Sequence, residues 1–600
     1  MRNKNYFLLF VGLLFASISF AQVTVKGTVT DKQDNSPLPG VTVVIQNTTK
    51  GTVTDINGKY EIQLDSLGQT LEFKFVGMET VTMVASSNTV NVGMSAGVNL
   101  EAVTVTALGL EVDKDKVGSA QSTIDGTALQ DNGETRLINN MSGKTAGVNI
   151  IQSTGDPGAG SKIQIRGASS ITGDNQPLVI IDGVPMDNGS YTGAGSNYVG
   201  SGGGVTQQSR LNDLNPNDIE SMEVIRGASA AALWGSRALN GVIVITTKKG
   251  KQGAKKSFDV RINSAVAFDQ VNRKIELNES YGQGVSMLHL DNSNTGFTRA
   301  LSWGDNIASR KGGTDDFISD PNAAGYNGYF VDNVSGNKYY ATADGDSANP
   351  HGGKNSREIY DPYDQLFQTG VTFDNSVSIS SGGPKGTVYF SVSDLNQNGI
   401  IKANSNYRKN TVRLSGSSRL NDKWTVSGSG QYIKTSSNRV QTGSNLNGLF
   451  LGGLRNPADF NMEDYEGTYY GADGSINKNV PRAFRNQLGK NPGYGYDNPL
   501  WMMRRSPSTA NVNRMIGKGE LTYSPLSWLS VTARGGWDFY TDQRDDYFHP
   551  YSSGENNGGR YAKEKYSYLQ LNGDIFARGT FKLNDDAKLN ALVGFNVNDE

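Results

Sequence analysis

A mainly β chain of three parts is predicted: an N-terminal β-sandwich, a small α/β domain, and the first part of a large antiparallel transmembrane β-barrel. Three observations predict it. Apolar and polar residues alternate along most of the 600-residue chain, the period of strands with one buried face. Beyond Lys256 the alternating segments lengthen and are joined by connections of very unequal size. Between the two β regions, helical spacing is mixed with short, almost continuously apolar runs.

Composition narrows the class. Six hundred residues exceed one compact domain. Glycine is frequent, at 73 residues, and only 19 % of residues are charged, so the chain is polar through Gly, Asn, Ser and Thr. With 56 basic and 58 acidic residues the net charge is −2, which offers no large basic surface to nucleic acid. The lack of cysteine excludes a disulfide framework and a Cys-ligated metal. Past the N-terminus no apolar run approaches the roughly 18 residues of a spanning helix, which excludes a helical membrane protein.

Residues 1–21 read as a secretory signal peptide. Arg2 and Lys4 precede an apolar stretch from Tyr6 to Ala16, and Ser19 and Ala21 take the small-residue positions of a cleavage site. The stretch is short for a membrane anchor, and cleavage after Ala21 leaves Gln22 rather than the Cys of a lipoprotein. In 22–95, Val23, Val25 and Val29, then Tyr60, Ile62 and Leu64, then Leu71, Phe73 and Phe75 share one face of successive strands, which predicts a small β-sandwich. Asn57-Gly58 between TVTD and KYEIQL predicts a hairpin with a type I′ turn. This part has no His, and its Asp residues sit in turn-like contexts, so it serves contact or spacing rather than chemistry.

From 96 to about 250 the signals mix. Leu137 and Met141 have helical spacing, whereas Val148-Asn149-Ile150 and Ile163-Gln164-Ile165 alternate as strands. LVIIDG and GVIVITT suit strands buried on both faces. Asn215 is placed to cap a helix that begins at Pro216. A Gly-rich excursion, GSYTGAGSNYVGSGGG, interrupts the module.

After Lys256 come the segments SFDVRINSAVAF, NSVSISS, TVYFSVS, TVRLSGSSRL, WTVSGSGQYI, KGELTYS, LSVTARGGW and KLNALVGF, the pattern of a wall with one face in lipid and one in water. Tight connections follow Leu420, Tyr523 and Leu583, whereas those from about Asp269 to Thr372 and Ser437 to Asn511 are long. Short turns at one rim and long loops at the other distinguish an outer-membrane barrel from a soluble sandwich. Trp424 and Trp528 beside tight turns fit an aromatic girdle. About nine or ten such segments are present, against about 22 in the large plugged barrels, and Asn598-Asp599-Glu600 lacks a terminal aromatic, so an incomplete barrel is expected.

Motifs of catalysis or metal binding fail on inspection. In Gly155-Asp156-Pro157-Gly158-Ala159-Gly160-Ser161-Lys162 the Lys follows Ser, and a strand pattern comes next, so a tight turn is expected instead of a phosphate loop. Asp344-Gly345-Asp346 has its glycine too early for a calcium loop and lacks the distal Glu. His289, His351 and His549 are scattered, with neither a triad nor a zinc cluster in view. Five lysines between Lys248 and Lys256 read as a solvated junction. No enzyme, cofactor or metal is expected.

Four segments in order carry a resemblance: LEAVTVTALGL at 100–110, GVNIIQSTGDPGAGSKIQIRGASSI at 147–171, PLVIIDGVP at 177–185, and LNPNDIESMEVIRGASAAALWGSRALNGVIVITTKKG at 214–250. The chain resembles the SusC/RagA branch of TonB-dependent outer-membrane transporters. Its segment TVTDKQDNSPLPGVTVVIQNTTKGTVTDINGKYEI is similar to the carboxypeptidase-regulatory-like domain that often precedes the plug in that branch. Two positions depart from the pattern: Arg226-Gly227 stands where many members have Lys-Asp, and Trp234 where Tyr is usual. Neither informs on substrate.

The resemblance implies a signal peptide at 1–21, the carboxypeptidase-regulatory-like sandwich at 22–95, a TonB box and linker at 96–112, a plug at 113–250 and the barrel from 256 to 600. It implies TonB-dependent import across the outer membrane of a glycan fragment or peptide, with TonB and a SusD-like surface lipoprotein as partners and outer-membrane lipid around the wall. The TonB box would be Ala102, Val103, Thr104, Val105, Thr106 and Ala107, although VTVT could equally be a last strand of the sandwich. Arg166, Arg226 and Arg237 are candidates for plug-to-wall ion pairs, or for holding the plug together with Glu220 and Glu223. Tyr465, Tyr469, Tyr470, Tyr494, Tyr496 and Trp501, in a long loop, could stack on sugar rings or pack the loop against its lid. A receptor that signals through its N-terminal extension is the alternative, for which an extension of βαβ type rather than all β is expected.

Overall fold

The computed structural model describes residues 23–32, 35–46, 48, 50–75, 78, 80–95, 103–105, 111–113, 121–130, 136–152, 154–168, 170–171, 175–189, 204–226, 234–250, 257–291, 301–441, 448–493, 495–584 and 587–600. The signal peptide, the Gly-rich excursion at 190–203, Ala102, Thr106, Ala107 and Tyr494 lie outside these residues. The chain divides into two compact units, one of residues 1–104 with 111–118, the other of 105–110 with 119–600.

In the first unit, strands β1 (Val23–Asp31), β2 (Thr42–Ile45), β3 (Gly51–Val53), β4 (Lys59–Leu64), β5 (Thr70–Lys74), β6 (Val81–Val84) and β7 (Val92–Met94) form two sheets, β4-β1-β7 and β3-β2-β5-β6. Their shared core contains Val25, Val29, Tyr60, Ile62, Leu64, Leu71 and Phe73, the alternating residues of the sequence. The expected hairpin at Asn57-Gly58 is not formed. Only Gly58 has a positive φ, +70°, and the Asp55 carboxylate accepts the amides of Asn57 and Lys59 at 2.9 and 2.8 Å. The turn therefore carries the chain from one sheet to the other, since β3 pairs with β2 and β4 with β1. Two further strands, β8 (Val103–Val105) and β9 (Glu111–Asp113), form a two-stranded sheet of their own.

The second unit opens with the α/β module. Strands β10 (Gln121–Asp125), β11 (Val148–Gln152), β12 (Ser161–Ile165), β13 (Leu178–Ile181), β14 (Val184–Met186), β15 (Ile219–Ile225) and β16 (Val242–Thr247) give a five-stranded sheet, β10-β15-β16-β13-β14, and a separate β11-β12 hairpin. The apolar runs are β13 and β16, parallel neighbours buried on both faces. Leu137 and Met141 bracket a short helix, Leu137–Asn140, and both are buried. Asn215 caps Pro216–Asp218 as expected, though that segment is a single 3₁₀ turn.

Among the described residues nine strands make the wall. β17 (Ser257–Asp269) leads into a first long connection holding β18 (Gly284–Val285), β19 (Leu288–His289), β20 (Tyr329–Asp332) and β21 (Lys338–Tyr340). Then come β22 (Gly370–Gly383), β23 (Gly386–Asn398), β24 (Asn406–Arg419) and β25 (Trp424–Arg439). A second long connection holds β26 (Glu466–Tyr470) and β27 (Ile476–Pro481), and β28 (Ser508–Leu526), β29 (Leu529–Phe548), β30 (Arg560–Lys582) and β31 (Lys588–Asp599) follow. All nine wall strands pair antiparallel, each with the next in the order β17-β22-β23-β24-β25-β28-β29-β30-β31.

The wall is an inside-out sheet. Val388, Phe390 and Val392 on β23, Val412 and Leu414 on β24, and Trp537 and Phe539 on β29 are exposed, while Ser391, Ser393, Thr411, Arg413 and Asp538 between them are buried. An apolar band of this extent in water would be a severe liability, whereas in lipid it is the required surface. Trp424 stacks on Tyr523 at 4.4 Å and Trp528 meets Phe581 at 5.1 Å, both at the rim of tight turns, which is the expected girdle. At the other rim β20 and β21 of the first long connection join β26 and β27 of the second in one four-stranded sheet, so the two loops form a single cap.

Candidate functional site

The α/β module lies against the polar face of the wall, and the wall supplies most of the cations. Arg514 on β28 bonds to Asp538 through Nε at 2.9 Å and Nη2 at 2.5 Å, then uses its remaining donors on the module: Nη1 on the Arg210 carbonyl at 2.8 Å and the Asp213 carboxylate at 3.1 Å, Nη2 on the Asp187 carbonyl at 2.8 Å. Tyr540 donates to the Asp187 carboxylate at 2.7 Å. A guanidinium with five donors in a fixed fork can serve both surfaces at once.

Two further clamps follow the same rule. Lys409 on β24 donates to the carbonyls of Asn212 and Leu214 at 3.0 and 2.9 Å, and Tyr389 and Ser391 on β23 donate to Asp218 at 2.9 and 2.6 Å. Arg413 pairs with Asp182 at 3.2 Å and also reaches Thr247, while Lys518 donates to the Asp182 carbonyl at 3.0 Å. Burial pushes the Asp182 carboxyl up, but Arg413, Lys518, Lys249 and the Thr247 hydrogen bond outweigh it and hold it below the ordinary carboxylate range. Close approach needs small residues too: a Cβ on Gly536 of β29 would stand 2.4 Å from Val184, and one on Gly158 of the module 2.5 Å from Tyr407.

Of the three arginines expected at these contacts, Arg237 reaches the wall. Arg166 is exposed, with φ +60° at the turn after β12. Arg226 bonds to Ser122 on the neighbouring strand β10, within the module. Arg237 does reach beyond the module, to Glu600 after β31, but at 3.6 Å with both side chains about half exposed. Most contacts set module carboxylates and carbonyls against wall cations, while Arg237 with Glu600 and the buried Arg210 with Asp542 of β29, at 4.0 Å, run from module cation to wall carboxylate. Asp182, Asp187, Asp213 and Asp218 lie in loop-like sequence, and nothing in their spacing marks them as wall contacts.

Of the loop aromatics, Trp501 is 0 % and Tyr469 3 % exposed. They are core residues of the cap, so neither offers a ring face to a substrate or lid. Tyr470 stacks on Tyr329 at 4.8 Å, Tyr496 is sandwiched by Arg455 and Arg485 at 4.2 and 4.1 Å, and the Tyr465 hydroxyl accepts from Arg504 at 2.8 Å. Within the expected TonB box, Val103–Val105 are the strand β8, whose partner is β9. That strand belongs to neither sheet of the sandwich, although Val103 and Thr104 fall with β9 in the same compact unit as the sandwich.

Residues 113–242 match the TonB-dependent Receptor Plug Domain, and 25–105 match the CarboxypepD_reg-like domain. The receptor SusC of Bacteroides thetaiotaomicron is 28 % identical over 584 residues, 95 % of this chain and 49 % of SusC. The chain carries the plug domain of a TonB-dependent receptor and is similar to the SusC/RagA type. A TonB-dependent receptor of Formosa agariphila is 27 % identical over 89 % of this chain and 44 % of its own length. The chain therefore spans about half the length of the curated relatives it matches. The RagAB peptide importer in its open-open state shares the fold with a TM-score of 0.56 at 20 % identity, over 82 % of this chain and 48 % of that one.

In this receptor the α/β module is the plug and the inside-out sheet is barrel wall in the outer membrane. No described helix is long and apolar enough to cross a membrane. Its relatives are receptors and transporters rather than enzymes. The Gly155–Lys162 segment contains a turn, with Gly158 at φ +72°, followed by β12. Among the described residues no group of three metal-ligating side chains converges.

Proposed function

We propose that this receptor imports a large nutrient, a glycan fragment or a peptide, across the outer membrane, with TonB pulling on 102–107 and displacing the plug, and with a SusD-like surface lipoprotein as lid over the cap. The observation that carries this reading is the plug's mode of attachment. It is held to the wall by buried hydrogen bonds and ion pairs rather than by apolar packing, and a β-branched segment stands on its N-terminal side where a periplasmic partner can add as a strand. Polar contacts can exchange for water as the plug moves, which a greasy interface cannot do. SusC, a TonB-dependent receptor similar to this chain in sequence, and the RagAB peptide importer, similar in fold, support the import reading.

Val105→Pro tests the coupling. Proline removes one backbone donor and restricts Thr104, so strand addition should fail. The variant should bind substrate at the cell surface normally and import almost none, while Val105→Thr, which keeps the donor and the β-branch, should retain most uptake. Import by Val105→Pro at the parent's rate and level would move the coupling site elsewhere.

A further inference from the structure

We infer that the loop cap holds a ligand site for a carboxylate, with a hydroxyl or N–H donor beside it. The site is a cavity of about 720 Å³ between the two long connections, lined among others by His289, Lys338, Arg357, Tyr360 and Arg482. It rests on the import reading only in treating this rim as the outer one.

Two buried polar atoms on the lining have no partner: Nδ1 of His289, a residue 3 % exposed, and Nε of Arg482, a residue 4 % exposed. The chemistry of the first is fixed by its neighbours. Thr342 has one hydroxyl proton, which it gives to the Asp291 carboxylate at 3.0 Å, so at its 3.0 Å contact with His289 Nε2 it must accept. His289 therefore carries its proton on Nε2 and presents Nδ1 as a bare acceptor. Arg482 is clamped between the rings of Tyr339 and Phe460, 3.7 and 4.3 Å away, with Nη1 on the Asn461 carbonyl at 2.9 Å, and presents Nε–H as a fixed donor.

The charges around the cavity set the sign of the ligand. Of the lining carboxylates, Asp315 and Asp459 are ion-paired, with Lys354 at 2.6 Å and Arg310 at 2.8 Å, while Asp291 and Glu358 accept from the neutral Thr342 and Tyr360, at 3.0 and 2.7 Å from their hydroxyls. Three lining cations likewise meet neutral groups, which leaves one positive charge in excess. Arg482 has ring faces and carbonyls, Arg357 has the Arg310 carbonyl at 2.7 Å, and Lys338 lies over the Tyr329 ring at 5.7 Å. An acceptor that brings negative charge to Arg482 and a donor that reaches His289 complete this arrangement.

Equilibrium binding to the purified receptor in detergent, without TonB, tests it with four probes: a trigalacturonate, its uncharged galactose counterpart, a tripeptide with a free C-terminus, and the same tripeptide amidated. At least one acid form should bind about tenfold tighter than its neutral counterpart, the worth of one charge-assisted hydrogen bond, and which acid does so tells a sugar acid from a peptide carboxylate. The double variant Lys338→Ala with Arg357→Ala, both at exposed positions, should weaken that acid about tenfold or more and leave the neutral probes unchanged. His289→Phe, which removes the acceptor, should weaken it as well. Equal binding of acid and neutral forms, or acid binding that survives the double variant, would overturn the site. Val105→Pro should bind the probes like the parent, so a failure of this site and a failure of TonB coupling are read separately.

Discussion

Arg514 in the wall and Asp213 in the plug meet at 3.1 Å with side chains at 0 % and 1 % exposure. The pair is one arm of a guanidinium that also holds Asp538 and two plug carbonyls, so it joins the two parts of the receptor through a buried, fully used group. Such a group contributes geometry more than net stability. Replacing a whole buried pair by apolar residues is often neutral, whereas removing one partner strands the other's charge.

Arg514→Met should therefore loosen the plug, at a cost of about 3 to 5 kcal/mol for the stranded carboxylates. Adding Asp538→Asn and Asp213→Asn should recover much of the loss. The measurement is sensitivity of whole cells to a large antibiotic normally excluded by the outer membrane, with receptor level held equal. An Arg514→Met strain that stays as resistant as the parent would show that this clamp does not hold the plug in place.

Gly536→Val should displace the plug at another point. The added side chain begins 2.4 Å from Val184 Cγ2, and β-branched Val184 has little rotamer freedom with which to retreat. Overpacking of this kind costs about 1 to 3 kcal/mol. Faster proteolysis of the plug with an intact wall is expected, and Gly519→Val, where a Cβ meets nothing within 4 Å, should behave like the parent.

Acid should loosen the cap in two steps. Burial holds His289 below its ordinary 6.5, so the loosened cap takes up this proton more readily than the folded one; the stabilisation is complete above pH 6.5 and is lost as pH falls toward the folded value. Burial pushes Asp305 and Asp315 up, but Arg310 and His351 for the first and Lys354 for the second hold them below 3.8, so their stabilisation is complete above 3.8 and is lost below it. Urea titrations of the cap, read by tryptophan fluorescence, should show the same midpoint from pH 6.5 up to the onset of tyrosine ionisation, a lower one between 6.5 and 3.8, and a much lower one below 3.8. His289→Asn should shrink the first step to the part contributed by His549, which burial also holds below 6.5, and keep the second.

Sequence periodicity made most of the scaffold legible, because burial of one face imposes a period of two directly on residue choice. Val25 to Phe73 in the sandwich, β13 and β16 in the plug and the exposed apolar residues of the wall are all visible that way. Contacts between parts were not. Arg514, Arg413 and Lys409 alternate with outward apolar residues as any inward polar residue does, and only the register that brings β24 and β28 opposite the plug shows what they hold. Asn57-Gly58 misled for a similar reason, since a local turn preference does not say which sheet the next strand joins. In the cap, ring stacking on sugars and ring packing in a core draw on the same residue types, so Trp501 looked like a contact.

Trp501 separates those two roles experimentally. Its indole is 0 % exposed, packs with Met502 and Phe548, and meets the His549 ring edge-on at 5.2 Å. Trp501→Ala should remove that packing and leave a cavity, at a cost of about 3 to 5 kcal/mol to the cap, while Trp501→Phe should recover a large part of it. The signature of a core role is accelerated cleavage in both long connections, because β20 and β21 share a sheet with β26 and β27. Binding should weaken for every ligand in proportion to the lost cap, with no change in preference among them. A variant that kept the parent's protease resistance but bound one sugar or peptide selectively worse would return Trp501 to the ligand surface.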